Sequence, residues 1–153
     1  MADNFERFSL AISELYHYLH KITRDEMEEY GLGGPHAIYF FILLRHKEGM
    51  TSAELSEASF RNKADVSRAV AFLEKKGLVV KKDDTHNNYR AKIVLTDKGI
   101  DAATKLRKRA KVVNELVSNG LTEEKRGILY EVLGLISSNM KQVCNEKGSE
   151  HTK

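Results

Sequence analysis

The sequence predicts a mainly α-helical fold with one small β-hairpin. Apolar residues recur three or four positions apart near both ends of the 153-residue chain, which is the spacing of amphipathic helices. Two strong helix starts, at Thr51 and Asn62, follow each other in the middle. Two short β-rich segments, residues 78–82 and 91–95, come directly after them. We therefore expect two consecutive helices and a hairpin between long terminal helices.

Composition restricts the class of protein. Apolar residues make up 41% of the chain and charged residues 31%, as in ordinary globular proteins. No apolar run approaches the roughly 20 residues of a membrane span, and the N-terminus does not resemble a secretory signal. The single cysteine, Cys144, excludes an intrachain disulfide and is typical of a reducing compartment. We expect a cytoplasmic protein of one domain with added helical parts.

The first 44 residues predict two helices. A long first helix carries one apolar stripe, which is typical of a packed seam; it consists of Phe5, Phe8, Ile12, Leu15, Leu19 and Ile22. The glycines and Pro35 of residues 31–35 end this helix and begin the next one. Residues 37–44 are almost all apolar, so the second helix should be buried on most sides.

Helix-capping residues mark the two central helices. Thr51 can cap the first of them, with Glu54 three positions on to complete a capping box, and this helix should end near Ala58. Asn62 caps the second, and Asp65 in its first turn favours the helix dipole. Gly77 should end that helix. Its inward face is apolar and consists of Val66, Ala69, Val70 and Leu73.

The last 60 residues predict the hairpin tip and two more helices. The polar segment 83–90 should form an exposed tip between the strands. A long helix begins at Thr96 and runs to about Ser118, and Gly120 separates it from the last helix. The last helix carries a second seam at heptad-like spacing, formed by Leu129, Leu133, Ile136, Met140 and Val143.

The charge distribution points to a polyanionic partner. Residues 61–92 hold nine basic and four acidic side chains, whereas residues 1–34 hold three basic and seven acidic ones. A solvated charged face is the plain alternative. The outer face of the second central helix is small and polar, as required for a helix that enters the major groove of DNA, which is about 12 Å wide. With the hairpin, these helices form a winged helix-turn-helix.

Two motifs in this arrangement resemble the MarR (multiple antibiotic resistance regulator) family. They are LEKKGLV at residues 73–79 and LTDKG at residues 95–99, with Val66-Ser67-Arg68 inside the recognition helix. The resemblance covers nearly the whole chain. It implies a homodimer that binds a palindromic DNA site as a transcriptional regulator, most simply a repressor released by a small-molecule effector, without a cofactor.

The resemblance also implies a division of the chain. Residues 1–34 and 96–145 would form the dimerisation helices, residues 35–95 the DNA-binding lobe, and residues 146–153 a flexible tail. The expected DNA contacts are Thr51, Ser52, Arg61, Asn62, Lys63, Asp65, Ser67, Arg68, Asn87, Asn88 and Arg90. The family often has an acid two positions before the wing arginine. Here Asn88 takes that place, so an uncharged amide would have to orient Arg90.

Several alternatives remain open at this stage. An effector cleft could involve Tyr16, His17, His20 and Tyr39, although aromatic residues are more often core. His17, His20, His36 and His46 could bind a metal, or Cys144 could serve a redox switch, but neither pattern is specific. A winged helix that binds protein instead of DNA is a further possibility. No catalytic motif of specific spacing occurs, so we do not expect an enzyme.

Overall fold

The protein is mainly helical and contains a two-stranded antiparallel hairpin, as the sequence predicts. The computed structural model describes residues 3–82 and 90–150. A 3-10 turn at Gly34–His36 precedes the second helix. The elements within the described residues are α1 (Asn4–Glu28), α2 (Ala37–Arg45), α3 (Ser52–Ser59), α4 (Lys63–Lys75), β1 (Val79–Lys82), β2 (Lys92–Leu95), α5 (Asp97–Val117) and α6 (Glu123–Glu150).

The predicted caps of α3 and α4 are present. Thr51 Oγ1 accepts a hydrogen bond from the Glu54 N–H at 3.3 Å, and the Thr51 N–H donates to Glu54 Oε2 at 2.7 Å. Asn62 Oδ1 accepts from the Asp65 N–H at 2.8 Å. Gly77 follows α4 with a φ of +71°, the left-handed conformation that lets the chain turn into β1. These local bonds satisfy backbone donors that a helix start leaves unpaired.

The hairpin pairs Val79 with Leu95 and Lys82 with Lys92. Met50 adds a bridge that the sequence did not predict, because its N–H donates to the Ile93 carbonyl at 3.1 Å and its carbonyl accepts from the Ile93 N–H at 2.7 Å. This bridge joins the segment before α3 to β2 of the hairpin.

The core lies between α2, α3, α4 and the hairpin. Its largest fully buried side chains include Phe40, Leu55, Val66, Leu73 and Ile93. Met27 of α1 and Ala102, Ala103 and Leu106 of α5 belong to the same core cluster. By their internal contacts, Met1–Lys111 and Val112–Lys153 form two compact units. The division at positions 34 and 95 into dimerisation and DNA-binding parts stays a prediction. The end of α1 and the first half of α5 pack with the lobe.

Gly99 explains how closely α5 approaches the hairpin. A Cβ atom at this position would lie 1.9 Å from the Leu78 carbonyl oxygen. Thr96 Oγ1 accepts from the Gly99 N–H at 3.1 Å and donates to the Gly77 carbonyl at 2.7 Å. The LTDKG motif therefore begins α5 and fixes it against the end of α4.

The two predicted seams are largely exposed in the single chain. On α1, Phe5 is 68% exposed and Leu15 66% exposed, and on α6, Leu133 is 41% exposed and Val143 52% exposed. The alternative that these stripes complete a monomer core is therefore wrong for most of their residues. Helix α6 continues to Glu150, so the first five residues of the predicted tail are helical.

In the part of the chain that the structure describes, no helix combines the length and the apolarity needed to cross a membrane.

Candidate nucleic-acid interface

Helix α4 separates an apolar inner face from a polar outer face. Val66 is 0% exposed and Val70 1% exposed, whereas Lys63, Ser67 and Arg68 are exposed. The buried residues pack into the core, so the orientation of the helix is fixed by apolar contacts. The exposed side chains are those that can donate to base edges or to phosphate oxygens.

The start of α4 carries a linked set of polar groups. Asn62 Nδ2 donates to Asp65 Oδ2 at 2.8 Å, while Asn62 Oδ1 accepts from the Asp65 backbone. The Arg68 guanidinium donates to Asp65 Oδ1 and forms an ion pair with it. Asp65 therefore orients Arg68 on the outer face, a role that its first-turn position did not reveal. The same carboxylate neutralises part of the arginine charge.

Arg61 points toward α1. Its Nη2 lies 3.4 Å from the Tyr16 hydroxyl and donates a long hydrogen bond to it. The side chain is only half-exposed, unlike Lys63 and Arg68. Of the three basic residues predicted near the start of α4, Arg61 is thus the one in contact with another part of the fold.

The start of α3 is already occupied by a carboxylate. The hydrogen bond from the Thr51 backbone, and then the one from its hydroxyl, holds the pKa of Glu54 below its ordinary value of 4.5. Glu54 therefore stays ionised at the helix end where Thr51 and Ser52 were predicted to meet phosphate. The polar groups of Thr51 are engaged with Glu54, whereas the Ser52 side chain is exposed. Ser52 is the better placed of the two for a phosphate contact.

The described part of the hairpin, which is the predicted wing, carries exposed cations. Arg90, two positions before β2, and Lys92, the first residue of β2, are exposed. Lys81 of β1 forms an ion pair with Glu74 of α4 at 3.3 Å, which joins the hairpin to α4. The predicted contacts Asn87 and Asn88 lie outside the described residues.

Two cavities flank Arg61. One, of about 320 Å³, has a mostly apolar lining that includes Tyr16, Leu19, His20 and Phe41 as well as Arg61. The other, of about 330 Å³, is lined by Pro35, His36, Tyr39, Arg61, Asp65, Arg68 and Ala69. The structure thus divides the predicted effector residues between two cavities. His17 lines neither of them, and its ring lies edge-on to Tyr18 at a centroid distance of 5.3 Å.

Tyr39 is buried beneath the start of α4. Burial raises the pKa of its phenol; Asp65 adds to this effect, while Arg61 and Ser59 oppose it. The phenol remains protonated near neutral pH and behaves as a core residue with one polar end. Cys144 is exposed on α6. Within residues 3–82 and 90–145, His, Cys, Asp and Glu side chains form no group of three that could hold a metal ion.

Comparison with known proteins agrees with this geometry. Residues 30–87 match the model of the MarR family. A MarR transcriptional regulator from Methanosarcina mazei Go1 is 24% identical with a TM-score of 0.81, and the match covers 94% of each chain. None of the curated protein sequences matches.

Two similar structures were solved with DNA. The Staphylococcus aureus MepR–DNA complex is 20% identical with a TM-score of 0.79, over 90% of this chain and 99% of the other. A Listeria monocytogenes protein described as a putative MarR family regulator, in complex with a 26mer DNA, is 25% identical with a TM-score of 0.77, over 92% and 90% of the chains. The resemblance predicted from the sequence is confirmed: this chain is a winged helix-turn-helix protein with the fold of the MarR family of transcriptional regulators.

Proposed function

We propose that this protein is a transcriptional repressor that binds a palindromic DNA operator as a homodimer. The observation that carries the proposal is the outer face of α4, where Lys63, Ser67 and Arg68 are exposed above a fully packed inner face. A rigid helix with exposed donors is suited to the major groove. The DNA complexes of the MepR and Listeria proteins support the same role for this fold.

A palindromic DNA site would match a protein dimer, and the helices that flank the DNA-binding lobe favour such a dimer. The seams of α1 and α6 leave large apolar side chains such as Leu15 and Leu133 exposed in the single chain. A second copy would remove this surface from water, which favours association. A dimer would then place two α4 helices in successive major grooves, about 34–36 Å apart, and bound there it would obstruct the polymerase.

Each recognition helix would be flanked by its wing. We propose that Arg90 enters the adjacent minor groove, where the phosphates concentrate negative potential. Asn87 and Asn88 remain predicted contacts. Ser52, at the start of α3, would meet a backbone phosphate, with Glu54 limiting the strength of that contact.

A small-molecule effector is the proposed release signal. The cavity of about 320 Å³ combines an apolar lining with polar groups on Tyr16, His20 and Arg61. Such a lining suits an apolar molecule with one hydrogen-bonding group. Because Arg61 precedes the cap of α4 and also contacts Tyr16, a ligand there would act directly on the start of the recognition helix.

Salt dependence distinguishes DNA binding from protein binding by the winged helix. We expect the affinity for a labelled duplex, measured by fluorescence anisotropy, to fall steeply and linearly in a plot of log affinity against log salt. Arg90→Ala should reduce that slope by about 1, and Lys141→Ala, a change of an exposed residue of α6 that is not among the proposed contacts, should leave it unchanged. A protein showing no affinity for any duplex at low salt would contradict the proposed function.

A further inference from the structure

Phe60, in the turn between α3 and α4, combines two unfavourable features. Its φ is +54°, and among the residues that the structure describes it is the only non-glycine residue with a positive φ. Its side chain is 86% exposed. A bulky residue in the left-handed conformation is a genuine outlier, and an exposed ring gains little from burial.

Hydrogen bonds on both sides hold the turn in this conformation. The Phe60 N–H donates to the Glu57 carbonyl at 3.3 Å, and the Arg61 N–H donates to the Ser56 carbonyl at 3.2 Å. Ser56 Oγ donates to the Arg61 carbonyl at 2.6 Å. These bonds hold the backbone around Phe60 in the conformation that leaves the ring exposed.

Stability of the fold alone does not favour phenylalanine here. Glycine or asparagine would adopt the left-handed conformation with less strain, and turns between such helices often contain glycine. Neither replacement would uncover a buried cavity, because the ring is already outside the core. A contact between this turn and another molecule would explain why phenylalanine occupies position 60.

The surroundings of Phe60 favour nucleic acid as that contact. The ring lies two positions before the Asn62 cap, at the end of α4 that meets base edges in a helix-turn-helix. Glu57, Arg61 and Lys63, which are charged, lie within three positions of it in the sequence, whereas a protein interface would need a contiguous apolar patch. In the major groove, an apolar side chain has one distinctive partner, the C5-methyl group of thymine.

We infer that Phe60 packs against a thymine methyl group in the major groove and so selects a T·A pair at one position of each half-site. This inference rests on the proposed DNA-binding function. Phe60 would then recognise an apolar group of a base, whereas the other expected contacts of this surface are polar. The hydrogen bonds of the turn fix the backbone at Phe60, so only the two torsions of its side chain would have to be ordered on binding.

The test begins with duplexes selected from a random-sequence pool by the wild-type protein. Each thymine in a selected duplex is then replaced by uracil, which lacks only the C5-methyl group. We expect one replacement per half-site to weaken wild-type binding by about fourfold, the change expected for losing one buried methyl group. Phe60→Asn should bind the parent duplex more weakly and should not respond to that replacement.

Two controls distinguish the loss of a DNA contact from a loss of folding stability. Asparagine tolerates the left-handed conformation, so Phe60→Asn should unfold at the same urea concentration as the wild type or at a higher one. Phe60→Tyr keeps the ring and should retain the response to uracil. A Phe60→Asn protein whose dimer dissociates, as measured by sedimentation, would assign the ring to a contact between copies and overturn the inference.

The outcomes distinguish a failure of this inference from a failure of the proposed DNA-binding function. If the wild-type protein selects no duplex at low salt, the proposed DNA-binding function fails. If it selects duplexes, but Phe60→Asn binds them equally well or responds equally to uracil, only the assignment of Phe60 fails.

Discussion

At the scale of single residues, we propose that Arg68 recognises a base. It is exposed on the outer face of α4, and Asp65 orients its guanidinium from one turn away. We expect Arg68→Ala to weaken operator binding by about 1–3 kcal/mol, because bidentate hydrogen bonds to a guanine would be lost. Binding isotherms at fixed salt would measure the change.

Arg68→Lys tests which kind of contact Arg68 makes. Lysine keeps the positive charge but lacks the planar fork of donors. If Arg68 recognises a base, lysine should restore little of the lost affinity. Full restoration by lysine would instead indicate a phosphate contact, and unchanged binding by Arg68→Ala would remove Arg68 from the interface.

At the scale of elements, the start of α3 depends on the ionised Glu54 of its capping box. Its folded-state pKa is depressed, so its contribution to stability is present above the unfolded-state pKa and is lost as pH falls through the lower folded-state value. We expect Glu54→Gln to lower the free energy of unfolding near neutral pH. The difference from the wild type should shrink below about pH 4.

Urea unfolding at a series of pH values would measure this effect. Thr51→Ala, which removes the hydroxyl cap, should cost about 1 kcal/mol near neutral pH. Glu57→Gln, a change of another exposed acid on α3, is the matched control and should show no such pH dependence. An effect of Glu54→Gln that stays constant from neutral to acid pH would contradict the role of its charge.

At the scale of the whole molecule, we expect two copies to associate through the seams of α1 and α6. Leu133 is 41% exposed in the single chain, so a polar replacement would cost an isolated chain little. In a dimer the same change would bury a charge in an apolar interface. Leu133→Glu should therefore shift sedimentation toward the monomer and weaken operator binding together.

Glu131→Gln is the matched control, because this exposed residue lies on α6 outside the apolar seam. It should leave both measurements unchanged. A Leu133→Glu protein that remains dimeric would exclude Leu133 from the interface, and a monomer with full operator affinity would contradict binding as a dimer.

The sequence by itself determined the features that depend on neighbouring residues. The caps at Thr51 and Asn62, the left-handed Gly77 and the inward face of α4 all lie where the pattern predicts them. Each depends on bonds or on periodicity within a few positions, which the chain order specifies directly. The winged helix-turn-helix could be predicted for the same reason.

Only the tertiary structure decided the features that join distant parts of the chain. The contact between Arg61 and Tyr16 spans 45 positions, and the Met50 bridge to Ile93 also lies far beyond local range. The division of the predicted effector residues between two cavities and the burial of Tyr39 depend on how α1, α2 and α4 pack. The exposure of Phe60 follows from the backbone of its turn. Local patterns do not encode such contacts, because packing brings these residues together only after the elements have formed.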